Sequence, residues 1–105
     1  MATVRACRAV DVPAGESRRF DVDGREVAVV NLGEDGWRAI DAICSHEHAY
    51  LDEGEVDVDL CTIECPKHGS TFSLTTGEAR SLPATKPVPV YAVRADGDDV
   101  LVTLP

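Results

Sequence analysis

Apolar and polar positions alternate along much of this chain, and turn dipeptides punctuate the alternation. Residues 17–22 and 26–31 flank Asp23-Gly24. An Asp-Gly pair between alternating runs predicts a β-hairpin, because these residues accept the left-handed backbone of a tight turn. Asp35-Gly36 precedes a run from Trp37 to Ile43, and Asp96-Gly97 lies between 88–94 and 100–104, which predicts two more such turns. No stretch keeps a 3.6-residue apolar period, so no long helix is expected. Short strands spaced by turn signals predict an all-β fold, an antiparallel sandwich or barrel. From 44 to about 77 the strand signals weaken, and Cys, His, Gly and acidic residues accumulate. Residues 82–90 hold Pro83, Pro87 and Pro89. They cannot form a central strand, since proline donates nothing to a ladder. They are expected to cross the surface before the last hairpin. No internal repeat or low-complexity linker interrupts the chain.

A length of 105 residues suits one compact domain and not two. With aromatics at 5 %, the core must rest on Val, Ile, Leu and Ala. The net charge of −9 argues against nucleic acid as a partner, because a phosphate backbone needs a basic surface. It also disfavours anionic membranes. The N-terminus lacks the apolar core of a secretory signal, and no apolar run is long enough to span a bilayer. Four cysteines without an export signal favour metal or redox chemistry over a disulfide framework, in a cytoplasmic protein.

The candidate chemistry sits in two short motifs, Cys44-Ser45-His46 and Cys65-Pro66-Lys67-His68, with eighteen residues between them. Each offers one thiolate and one imidazole in a turn-forming context, so two loops can approach a metal centre from opposite sides. Zinc accepts two Cys and two His in a tetrahedron. A two-iron cluster can instead place both cysteines on one iron and both histidines on the other. Structural zinc pairs usually keep like ligands together, whereas each motif here mixes them. That mixing favours the bridged pair of irons, with zinc as the alternative.

Continued as Gly69-Ser70-Thr71-Phe72 and Thr76-Gly77, the double motif resembles the Rieske family, most of all the soluble ferredoxins of multicomponent aromatic-ring-hydroxylating oxygenases. The likeness covers essentially the whole chain, 1–105 as a single Rieske domain. It implies an antiparallel β base with a small cluster-binding subdomain, about 43–78, formed by two loops. It also implies one [2Fe–2S] cluster on Cys44, His46, Cys65 and His68, with a reduced-state EPR signal of low average g. By the same resemblance the two histidines lie at an exposed tip and form the electron's exit. High-potential respiratory members carry an extra disulfide across the cluster, but the matching positions are Ala49 and Lys67. Ser70 matches a hydrogen-bonding Ser of those members, while Phe72 replaces their Tyr. Fewer donors stabilise the reduced cluster less, so a potential toward the low end of the Rieske window, roughly −150 to +300 mV, is expected.

The function so implied is electron carriage, without catalysis, from a flavoprotein ferredoxin reductase to a terminal oxygenase or similar acceptor. A redox accessory or sensor linked to iron–sulfur assembly is the alternative. Residues 47–64 hold seven acids (Glu47, Asp52, Glu53, Glu55, Asp57, Asp59 and Glu64) and no Lys or Arg, so most of the charge imbalance falls between the two motifs. An acidic collar there would steer a basic docking face. Cys7 and Cys61, the latter in a strand-like run, read as small buried hydrophobes. His48 is a rival ligand, which the spacing disfavours. Pro66 and Gly69 read as loop shapers. Trp37, Tyr91 and Phe20 read as core, and Tyr50 and Leu51 as packing or shielding for the first loop.

Overall fold

In the computed structural model, which describes residues 2–45, 49–67, 69–82 and 84–105, Asp23 and Gly24 take left-handed backbone with φ of 51° and 85°. They close the hairpin of β2 (Ser17–Val22) and β3 (Arg25–Asn31), which pairs Val22 with Arg25. β3 continues into β4 (Trp37–Asp41), pairing Asn31 with Trp37. Asp35-Gly36 does not make a two-residue turn there. Gly33–Asp35 form a single 3-10 turn, and the Leu32 N–H reaches the Gly36 carbonyl at 2.8 Å, so the connection spans five residues. The final hairpin joins β8 (Val90–Asp96) to β9 (Asp99–Leu104). Its turn residues are Gly97 and Asp98, one position later than expected, since Asp96 pairs with Asp99.

β1 (Ala2–Arg8), which the sequence pattern did not reveal, pairs with β9 and completes a six-stranded antiparallel sheet of order β1-β9-β8-β4-β3-β2. Its two edge strands, β1 and β2, approach each other, so the sheet curls toward closure. A second sheet holds β5 (Val56–Asp57), β6 (Thr62–Glu64) and β7 (Thr71–Ser73), all within the segment of weak strand signals. No α-helix occurs among the described residues, and none of them forms a helix able to cross a membrane.

Two apolar clusters share one wall. Val27 and Val29 face the base cluster with Val12, Val100, Val102 and Leu104, while Ala28 and Val30 face the other with Leu51, Ile63, Phe72 and Leu74. β3 is therefore buried on both faces, and each fully buried valine contributes about 1.5–3 kcal/mol. Tyr91 belongs to the base core; Phe20 and Trp37 only flank it, half-buried.

Cys7 is buried in the base core, as expected. Burial, with Asp11 adding and Arg5 opposing, pushes its thiol up to about 11 from 9.0. The unfolded thiol ionises first as pH rises, so this group's stabilisation is complete below about 9 and falls away as pH climbs toward 11. Chemical denaturation of Cys7→Val between pH 8 and 11 should show a flatter loss of stability than the parent. Parallel curves would contradict the assignment.

Candidate metal centre

The first loop leaves the end of β4. Its base is a short ladder in which Ile43 bridges to Tyr50 and the Leu51 N–H donates to the Ala42 carbonyl at 2.7 Å. The Cys44 N–H closes the loop on the Ala49 carbonyl at 2.9 Å. The second loop joins β6 to β7, where Glu64 pairs with Thr71 and the Cys65 N–H donates to the Ser70 carbonyl at 2.6 Å. In both loops the cysteine thus stands at the entry, and its N–H binds the carbonyl five residues on. Gly69, at φ 75°, turns the second loop back, and its N–H reaches the Cys65 carbonyl at 3.1 Å.

Both cysteines are buried, Cys44 at 4 % and Cys65 at 1 % exposure, within the same apolar cluster. None of the four cysteines is in a disulfide. His46, His68 and the rival His48 lie outside the described residues. Pro66, Lys67 and Gly69, on either side of position 68, are exposed.

The proline-rich segment ties the two loops together, a role its sequence did not announce. The Ser45 hydroxyl donates to the Lys86 carbonyl, and the Ala84 N–H donates to the Ser70 hydroxyl at 3.1 Å. Beyond them the Val88 N–H reaches the Gly77 carbonyl at 2.9 Å. Residues 84–89 therefore form a strap across both loops, off the sheets as expected, while Val90 already belongs to β8 inside the large sheet and pairs with Ile40. Ser70 is fully buried and accepts from Ala84, which leaves its own hydrogen to donate. Phe72 is fully buried and has no hydroxyl to offer.

Two expectations change. Cys61 lies in the turn before β6 with φ 55°, its sulfur 3.5 Å from the Thr75 hydroxyl, so it is not in a strand, and it packs half-buried against the apolar cluster rather than fully within it. Asp52 is not part of a solvated collar. Its side chain is 12 % exposed, 3.7 Å from Arg19, and burial raises its carboxyl above the usual range while Arg19 opposes the rise. A run of acids in sequence could not tell the residue that turns inward from its neighbours. Glu53, Glu55, Asp57 and Asp59 are exposed, and Glu47 lies outside the described residues. Glu55, Asp57 and Glu64, with Leu60 and Arg80, line an open groove of about 600 Å³ on the small sheet. Its opposite face buries Ile63 and Phe72.

The donor chemistry fits an iron–sulfur group: two thiols, soft ligands when ionised, held by matched loops in an apolar, water-poor setting. Among the described residues no cluster of three His, Cys, Asp or Glu side chains forms, and the two histidines expected to complete the set lie outside them.

Comparisons with known proteins agree with this geometry. A profile of the Rieske [2Fe–2S] domain matches residues 2–92. The ferredoxin subunit of 3-phenylpropionate/cinnamic acid dioxygenase from Escherichia coli (strain K12) is 41 % identical over 105 residues, covering 100 % of this chain and 96 % of that one. The ferredoxin of carbazole 1,9a-dioxygenase from Nocardioides aromaticivorans IC177 superposes with a TM-score of 0.90 at 40 % identity, covering 97 % of each chain. A complex of reduced oxygenase and oxidized ferredoxin in carbazole 1,9a-dioxygenase contains a match at 37 % identity with a TM-score of 0.84, covering 95 % of this chain and 91 % of that one. The chain belongs to the Rieske [2Fe–2S] family, as a ferredoxin-type electron carrier whose cofactor is one such cluster.

Proposed function

We propose that this chain is the ferredoxin component of a multicomponent aromatic-ring-hydroxylating oxygenase, taking one electron from a flavoprotein reductase and delivering it to the terminal oxygenase in the cytoplasm. The observation that carries the reading is the pair of loops closed by the same five-residue bond, each burying one cysteine in a common apolar cluster. In this reading residues 1–105 form one domain, and 43–78 hold the cofactor through Cys44 and Cys65 on one iron and His46 and His68 on the other. When bound, the cofactor supplies a reversible one-electron couple. The protein's own residues exclude water around the sulfurs and limit hydrogen-bond donors, while exposed Pro66, Lys67 and Gly69 leave the second loop's tip open to a partner. Buried Phe72 in place of a hydroxyl-bearing ring, and Ala49 and Lys67 in place of a disulfide, support a potential near the low end of the Rieske window. The relative seen with its oxygenase supports that class of acceptor.

The acidic surface near residues 47–64 is the proposed docking face, with Glu53, Glu55, Asp57 and Asp59 as exposed members. Electron-transfer encounters bury little area, so long-range charge dominates their rate. Stopped-flow mixing of the reduced protein with an aromatic-ring terminal oxygenase should show transfer that slows about tenfold as ionic strength rises from low to high. The triple variant Glu53→Gln, Glu55→Gln, Asp57→Asn should start slow and lose most of that salt dependence. A rate indifferent to salt removes the docking assignment; a reduced protein that passes no electron to any such oxygenase removes the wider function.

A further inference from the structure

The two arms at the base of the first cysteine loop are supported differently. The inner arm extends β4, and its Ala42 N–H donates to the Glu26 carbonyl of β3 at 3.0 Å. The outer arm, Tyr50 followed by the single 3-10 turn Leu51–Glu53, belongs to no sheet beyond its bridge to Ile43. β2 holds it instead. The Arg19 guanidinium sits 3.5 Å from the Tyr50 ring centroid and 3.7 Å from Asp52 Oδ1, and the Ser17 hydroxyl donates to the Asp52 carbonyl at 3.1 Å. The Glu26 carboxylate also acts on the Tyr50 phenol and pushes its ionisation up.

Asp52 Oδ1 is buried and has no hydrogen-bond partner among the described residues. Among the described residues Arg19 supplies the cation paired with that carboxylate, while Glu53 and Glu26 add like charge nearby. A buried carboxylate with a single counter-charge adds little net stability over an apolar side chain, and its best-attested use is to specify one arrangement. A planar guanidinium also suits two partners at once, an aromatic face and a carboxylate. The pairing selects one register of the outer arm against β2. Through the Tyr50–Ile43 bridge and the Cys44–Ala49 bond it fixes where Cys44 stands.

We infer that Arg19 is a positioning residue for the cofactor: clamped between Tyr50 and Asp52, it locks the outer arm of the first loop and thereby presents Cys44 in one place. This rests on the reading of Cys44 as a ligand. Groups that orient metal ligands from outside the coordination sphere typically change metal retention by about 10–100-fold when removed.

The test is the rate at which the purified holoprotein loses its visible absorbance to excess chelator at fixed temperature. Arg19→Met keeps the aliphatic stem and removes the charge; it should lose the cofactor about tenfold faster than the parent. Val102→Ala, in the base core and away from the loop, measures what general destabilisation alone does. Adding Asp52→Asn to Arg19→Met removes the stranded carboxylate and should restore part of the retention. Arg19→Lys keeps the charge without the planar stack and should fall between parent and Met, and it serves as the probe if the Met variant does not fold. Loss no faster than in Val102→Ala, for the Met or Lys variant, overturns the clamp. A parent protein that never acquires colour overturns the ligand reading instead.

Discussion

Cys65→Ser is expected to leave the purified protein colourless where the parent should be red-brown. The side chain is 1 % exposed at the entry of a loop closed by its own N–H on Ser70, and serine nearly matches its volume. The change therefore tests sulfur as a ligand with little disturbance of packing. A neutral hydroxyl is a hard, weak donor to iron, whereas a thiolate is soft and charged. Absorbance at visible wavelengths should fall to the baseline, while circular dichroism keeps its β signal from the six-stranded base. Colour retained in full would exclude Cys65 from the ligand set. His68→Cys is the companion experiment, because it exchanges a neutral donor for an anionic one. The reduced-state EPR signal should shift or vanish, and an unaltered spectrum would exclude His68. A parent protein that is colourless after anaerobic purification would return the zinc alternative.

Gly77→Ala should be strongly destabilising, at about 4 kcal/mol. Two costs coincide there. Gly77 has φ 79°, a left-handed conformation that L side chains resist. A Cβ at this position would also overlap the Val88 carbonyl oxygen and crowd the Val90 side chain, 3.1 Å away. The backbone cannot simply retreat, since the Gly77 carbonyl accepts the Val88 N–H and its own N–H donates to Ser73. Relief would lift the proline-rich strap from the loops that Ser45 and Ser70 tie to it. Thermal denaturation followed by absorbance should show the cofactor lost well before the parent's midpoint. Gly15→Ala is the control, at a similar φ of 83° but with open space around the added carbon. Equal losses for the two variants would refute the packing argument and leave only backbone strain.

The sequence spoke most clearly where structure is local. Asp23-Gly24 named its hairpin because two adjacent residues supply the whole turn, and the double Cys/His spacing located the cysteine loops for the same reason. Asp35-Gly36 misled as to turn type because the Leu32–Gly36 bond, invisible in a dipeptide, makes a longer connection. β1 was missed because its partner β9 lies at the other end of the chain, and pairing across that distance leaves no local period. Strands β5, β6 and β7 are two or three residues long, too short to show alternation. Around the site, spacing singled out Cys44 and Cys65 as candidate ligands but not what supports their loops. Ser45 and Ser70 act through backbone groups of the strap, which carry no residue signature. Asp52 looked like one acid in a solvated run, and only the approach of Arg19 from β2 sets it apart.

The shared wall of the two cores bears on speed as well as stability. An electron moves between proteins at the instant when donor and acceptor energies match, and surroundings that must rearrange after each charge change delay that instant. Here the cysteines emerge from an apolar cluster whose back wall, β3, is itself pinned from behind by the base core. Close-packed interiors of this kind have low compressibility. With a cluster held on Cys44 and Cys65, such packing would leave the nuclei around the sulfurs little room to relax as a charge arrives or leaves, keeping the protein's share of the reorganisation energy small. A doubly packed strand thus does for a carrier what an active-site pocket does for an enzyme: it holds the reacting centre in the geometry common to both of its states.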